Sequence, residues 1–220
     1  MIRLVTALVI FTAEAAGHGS GWAQTLDRVV ASVGDVAITE SDVVREYGLE
    51  ILIQEGKLPN TPPDAATLDR VRDRLIDQTL LAQETRAEGL EWPGARSAAQ
   101  QRLAEVRKRF SSAKAFDSAL RSLGMSENQF LEVLAAQQRT LRLIEQRLRP
   151  AASPGQAEIQ TYYRETFLPE YAKRSPGAPP RLAEVESQIR EILVQKRINE
   201  QLTAWLEELR SSRKVKLYPF

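Results

Sequence analysis

The stretch RLAEVESQIREILVQKRINEQLTAWLEELRSSRKVKLY, Arg181 to Tyr218, decides how this chain folds. Within it Leu182, Val185, Ile189, Ile192, Leu193, Ile198, Leu202, Trp205, Leu206 and Leu209 recur at helical spacing, and Glu, Gln, Lys and Arg fill most of the gaps. The pattern predicts one long amphipathic helix from about Arg181 to Arg210, followed by a β-type tail from Val215 to Tyr218. A helix owes most of its stability to packing of its apolar face, so this stripe needs a surface that must come from earlier in the chain. The C-terminus is therefore expected to pack back onto the N-terminal half.

The N-terminal half offers a matching end. Arg28-Val29-Val30-Ala31-Ser32-Val33 is rich in β-branched residues, Gly34-Asp35 follows, and Val36-Ala37-Ile38 resumes the pattern. A Gly-first two-residue loop suits a type II′ hairpin. A lone hairpin is marginal and a third strand stabilises it, so the tail Lys214–Tyr218 is expected to pair with the hairpin. Thr39-Glu40-Ser41-Asp42 has the capping-box form that opens a helix, with Ser41 as the alternative cap and Asp42 as a capping acid. Gly56 is its expected stop.

Helices are predicted from Asp64 or Thr67 to Glu88, from Ala95 to Phe110, from Ser112 to Leu123, and from Ser126 to Pro150. A short sixth helix holds Glu158–Tyr163. Pro169, Pro176, Pro179 and Pro180 then predict a linker, with helix excluded through most of it. The expected fold is mainly α: a multi-helix core, a long returning C-terminal helix, and a small two- to three-stranded antiparallel sheet made by the hairpin and the tail.

Arg3 and the short apolar run Leu4–Phe11, with small residues at Gly21 and Ala23, read as a signal peptide over residues 1–23. The run is too short to span a bilayer, so no stable membrane insertion is expected. His18 is the single histidine and falls inside this leader, and there is no cysteine. A mature chain without His or Cys excludes Ser-His-Asp and Cys-His catalysis and the common zinc sites. No G-x-x-x-x-G-K nucleotide loop occurs. No cofactor, metal or enzymatic role is expected. Lys+Arg 30 against Asp+Glu 29 leaves a net charge of +1, and the signs alternate along helix faces. That balance argues against a nucleic-acid partner.

Val29 to Val43, with Ile38, Thr39, Ser41 and Asp42 matching an I-T-x-S-D signature, resembles the opening of SurA-type periplasmic chaperones. Ala204-Trp205-Leu206-Glu207-Glu208-Leu209-Arg210 with Val215-Lys216-Leu217 resembles the same family's final helix and strand. The resemblance runs from about Leu26 to Leu217. It implies a periplasmic, ATP-independent holdase whose partners are unfolded polypeptides, outer-membrane β-barrel precursors foremost. In such proteins parvulin-type prolyl isomerase domains sit before the last helix. Here only the Pro-rich segment 169–180 stands at that place, so the resemblance implies the chaperone core without the isomerase. The domain reading is a leader at 1–23, a helical region at 24–168, the linker at 169–180, and a completing helix and strand at 181–220. A residual prolyl isomerase and a structural adaptor for one partner are the alternatives.

A holdase needs adaptable apolar surface. Phe110, Phe116, Leu120, Met125 and Phe130 cluster around loops of the third to fifth helices, and Tyr163 ends the sixth. These are the expected client contacts, Met125 because its thioether adapts to varied side chains. Packing between helices is the competing role for each. Trp205 is expected in the core, and Arg107-Lys108-Arg109 on a solvated face.

Overall fold

A helix of thirty-one residues, α8 (Leu182–Ser212), closes the structure. It is described here from a computed structural model covering residues 27–89, 92–174 and 177–220. The leader reading over residues 1–23 lies outside the described residues. The stripe behaves as its spacing predicts: Val185, Ile189, Leu193, Val194, Ile198, Trp205 and Leu209 are buried. Leu202 and Leu206 pack beside them. Ile192 departs from the expectation and is 47% exposed.

The two chain ends meet in one sheet. Strands β1 (Val29–Val33) and β2 (Val36–Thr39) form the hairpin, and β3 (Val215–Leu217) pairs antiparallel with β1, in the order β2-β1-β3. Val33 faces Val36 across the turn and Val215 on the other side. Gly34 takes φ 59°, while Asp35 stays at negative φ, as a Gly-first turn requires.

Helices α1 (Glu40–Glu55), α2 (Ala65–Ala87), α3 (Gly94–Arg107), α4 (Ala113–Ser122) and α5 (Glu127–Leu148) follow the hairpin. Thr39 is the cap of α1. Its hydroxyl accepts from the Asp42 N–H at 3.3 Å, and the Asp42 carboxylate accepts from the Thr39 N–H at 3.0 Å. Ser41, the alternative cap, instead donates its hydroxyl to Asp27. Asp64, Ser112 and Ser126 cap α2, α4 and α5. Gly56 ends α1 in the left-handed region at φ 70°.

The sixth helix differs from its sequence reading. Helix α6 (Gln156–Tyr162) runs through a wide turn at Tyr163–Phe167 into α7 (Leu168–Arg174), so helix continues past Pro169. In the wide turn the Leu168 N–H donates five residues back, to the Tyr163 carbonyl. Such a bulge shifts the hydrogen-bond ladder where the proline lacks a donor and its ring would meet the carbonyl four residues earlier. Only residues 175–181 join α7 to α8.

Three apolar cores result. The first joins the sheet, α2, the end of α5 and the end of α8, with Val30, Val33, Ile76, Leu80, Leu143 and Trp205 inside. The second lies between the end of α1, α3, α4 and the start of α5. The third is small: Ile159 of α6 against Val185, Ile189 and Leu193 of α8. Arg210 ties α8 to α2, donating to Asp77 at 2.7 Å and to the Asp73 carbonyl at 3.0 Å. The Arg147 guanidinium caps the Trp205 ring at 4.4 Å.

Candidate functional site

Helix α5 serves two cores at once. Phe130, Leu131, Leu134 and Ala135 face the second core, and Leu143, Ile144 and Leu148 face the first. Between those faces Val133, Ala136, Gln137, Thr140 and Leu141 turn toward α2, where Gln78, Thr79, Ala82, Gln83 and Arg86 stand opposite. The small side chains Ala82 and Ala136 do not fill the gap. A groove of about 600 Å³ remains, with Val36 of β2 at one end and Glu46 of α1 at the other.

The groove continues past Glu46. A hollow of about 210 Å³ lies between Leu49, Glu50, Ile53, Arg74 and Val133. A shallower one of about 570 Å³ is bordered by Arg45, Met125, Gln129, Val133 and Ala136. Val133 borders all three. The apolar walls are partly open to solvent: Leu141 is 54% and Val36 40% exposed.

The junction is polar. Arg74 forks onto Glu50, donating at 2.8 and 2.6 Å, a bidentate ion pair between α2 and α1. That pair holds the Glu50 carboxyl below the ordinary carboxylate range. One turn earlier, Glu46 accepts one hydrogen bond, from the Gln78 side-chain amide at 2.9 Å. Its carboxylate lies 4.0 Å from the Arg74 Nε, which is buried and makes no hydrogen bond. Burial pushes the Glu46 carboxyl above its ordinary range, against the pull of Gln78 and Arg74.

The sequence-predicted residues distribute unevenly around this site. Phe116, Leu120 and Phe130 are fully buried in the second core. Phe110 packs edge-on to Phe116 at 5.3 Å, and Phe116 to Phe130 at 6.1 Å. Met125 is half-buried, packs on the same core and borders the groove mouth. Tyr163 stands apart in the third core, stacked on Phe167 at 5.6 Å, its hydroxyl donating to the Pro180 carbonyl at 2.8 Å. Five of the six thus meet in one core, and Met125 alone among them borders the shallow hollow that adjoins the groove at Val133 and Ala136. In this conformation the three fully buried side chains present no surface to a partner.

The basic run Arg107–Arg109 is locally engaged. Arg107 pairs with Glu127, Lys108 with Glu105, and Arg109 donates to the Gln54 carbonyl. No group of His, Cys, Asp and Glu side chains able to hold a metal ion occurs among the described residues. No helix among them is long and apolar enough to cross a membrane.

No local motif marks the groove, since its walls come from two helices far apart in sequence. The available signal was size: Ala82 and Ala136 stand where a packed interface would carry larger side chains.

The chain is thus a mainly helical domain opened by a capped hairpin, with an open groove between α2 and α5. A family model for the SurA-like N-terminal domain matches residues 1–146, which include β1, β2 and α1 to the greater part of α5. The chain belongs to this family, whose N-terminal domain is a non-catalytic chaperone module. Every residue lining the groove falls within the matched span. No curated protein matches the chain.

Proposed function

We propose that this protein is an ATP-independent periplasmic holdase that takes apolar side chains of unfolded polypeptides into the groove between α2 and α5. Outer-membrane β-barrel precursors in transit are the proposed clients, by the SurA resemblance. The observation that carries the reading is the groove itself. Exposed Leu141 and Val36 flank a cleft of about 600 Å³ that no segment among the described residues fills. Apolar surface kept open beside a packed core marks an interaction site.

Of the six sequence-selected residues, Met125 is the one proposed to touch a client, since a thioether at the groove mouth can follow varied side chains. The others shape the second core that holds α5 in place. Residues 1–23 are proposed to be a cleaved leader. The segment between α7 and α8 is proposed to stand where SurA-type chaperones insert an isomerase domain.

Light scattering of a denatured β-barrel protein diluted into buffer tests the reading. Equimolar mature protein should suppress the rise in scattering. Leu141→Glu, an exposed change expected to move stability by no more than about 0.5 kcal/mol, should weaken suppression several-fold. Unchanged aggregation in the presence of the parent protein would sink the proposal.

A further inference from the structure

Glu46 is poorly satisfied for a carboxylate this enclosed. Its side chain is 14% exposed. One oxygen accepts from Gln78, and no hydrogen bond to the other occurs among the described residues. The nearest cation, Arg74, spends both terminal nitrogens on Glu50. Ionised acids in enclosed sites require partners, and an unpaired one is costly. The groups that face Glu46 are few. Glu50 is on its own helix, Arg74 and Gln78 come from α2, and Val133, Ala136 and Gln137 come from α5. Of the α5 residues along the groove and its shallow extension, Glu132 can titrate and pairs with Arg96, and Arg45 of α1 borders that extension. Arg86 lines the same cleft from α2.

The site therefore holds a negative group with spare acceptor capacity, apolar walls on either side, and a single cation, the Arg74 guanidinium, which reaches it only through Nε at 4.0 Å while its terminal nitrogens serve Glu50. On the reading that the groove receives clients, we propose that Glu46 makes it selective. It favours segments in which a lysine or arginine is flanked by apolar side chains. The apolar neighbours occupy the walls formed by Leu141, Ile144 and Val36 and by Val133 and Met125. The cationic head meets the free Glu46 oxygen, with Gln78 and Gln137 as polar neighbours. In water such a pair is weak, whereas within an enclosed cleft a charge-assisted hydrogen bond is stronger. Salt and acid should both weaken the preference, acid by protonating Glu46.

Fluorescence anisotropy with two labelled peptides tests this. Each carries Leu and Phe around one central position, which is lysine in one and acetyl-lysine in the other. The parent protein should bind the lysine peptide about tenfold more tightly, the size of one charge-assisted contact. Glu46→Gln should lose that preference and keep its affinity for the acetyl-lysine peptide. Gln137→Lys, which tethers an ammonium beside Glu46, should lose it too. Equal binding of both peptides by the parent protein, or a preference that survives in Glu46→Gln, would overturn the assignment while leaving the groove reading intact. Failure of the parent protein to bind either peptide would overturn both.

Discussion

Glu46 and Glu50 sit one turn apart on α1 and respond to pH in opposite senses. Burial raises Glu46 above the ordinary carboxylate range. Its folded form therefore holds a proton more tightly than its unfolded form, and stability falls as pH rises from the ordinary carboxylate value through the raised folded one. Glu46→Gln should thus be more stable than the parent at neutral pH, with the difference closing in acid. Glu50 is lowered first by its hydrogen bond from Arg74. Its contribution is present above the ordinary carboxylate value and is lost as pH falls through the lowered folded value. Glu50→Gln should be less stable at neutral pH, again converging in acid. Urea midpoints measured from acid to neutral pH would show the two variants on opposite sides of the parent, and shifts in the same direction would contradict this account. Gly56 tests a local constraint in the same way. It holds φ 70°, and an added Cβ would come within 2.5 Å of the Arg109 carbonyl oxygen. Gly56→Ala should cost at least about 1–2 kcal/mol, from the left-handed backbone alone.

At the scale of elements, α8 shows what a sequence can and cannot disclose. Its stripe was legible because burial of Val185, Ile189, Ile198, Trp205 and Leu209 follows from spacing alone. The hairpin turn at Gly34 and the helix starts near Thr39, Asp64, Ser112 and Ser126 were legible for a similar reason, each being decided within four residues, while the choice between Thr39 and Ser41 and between Asp64 and Thr67 needed the structure. Pro169 was misread because proline's effect depends on the ladder around it, and the wide turn at Tyr163–Phe167 let the helix pass. The groove was not legible, since it is a gap between side chains far apart in sequence. Phe116 and Phe130 looked accessible beside their loops, yet α3, α4 and α5 close over them. The stripe also sets two stability predictions. Trp205→Ala should cost about 3–5 kcal/mol, as large core truncations do, while Ile192→Ala, at an exposed position, should stay within about 0.5 kcal/mol. Ending the chain after Ser212 removes β3 and leaves one side of β1 without its partner. That variant should keep its far-ultraviolet helical signal, melt lower and aggregate more readily. A melt matching the full chain would refute closure of the sheet by the tail.

The whole molecule is three cores threaded on two helices. Helix α5 is shared by the first and second, and α8 by the first and third. The cores are unequal, and the third holds only Ile159, Val185, Ile189 and Leu193 as buried residues. It is pinned by Arg197, which pairs with Glu158 and donates to the Ser153 carbonyl at 2.7 Å. Local opening free energies follow the amount of apolar contact in a unit. Helices α6 and α7 should therefore exchange their amide hydrogens through an opening that leaves α2 and α5 protected. Hydrogen exchange read by mass spectrometry would show peptides from Gln156–Arg174 exchanging well before those from the middle of α2. Ile189→Ala should deepen that difference, cutting protection in α6 and α7 while the groove, built on the other two cores, keeps its effect on client aggregation. Equal loss of protection across all helices would mean the three cores open as one. Loss of aggregation suppression in Ile189→Ala would mean that the third core, rather than the cleft between α2 and α5, carries the client.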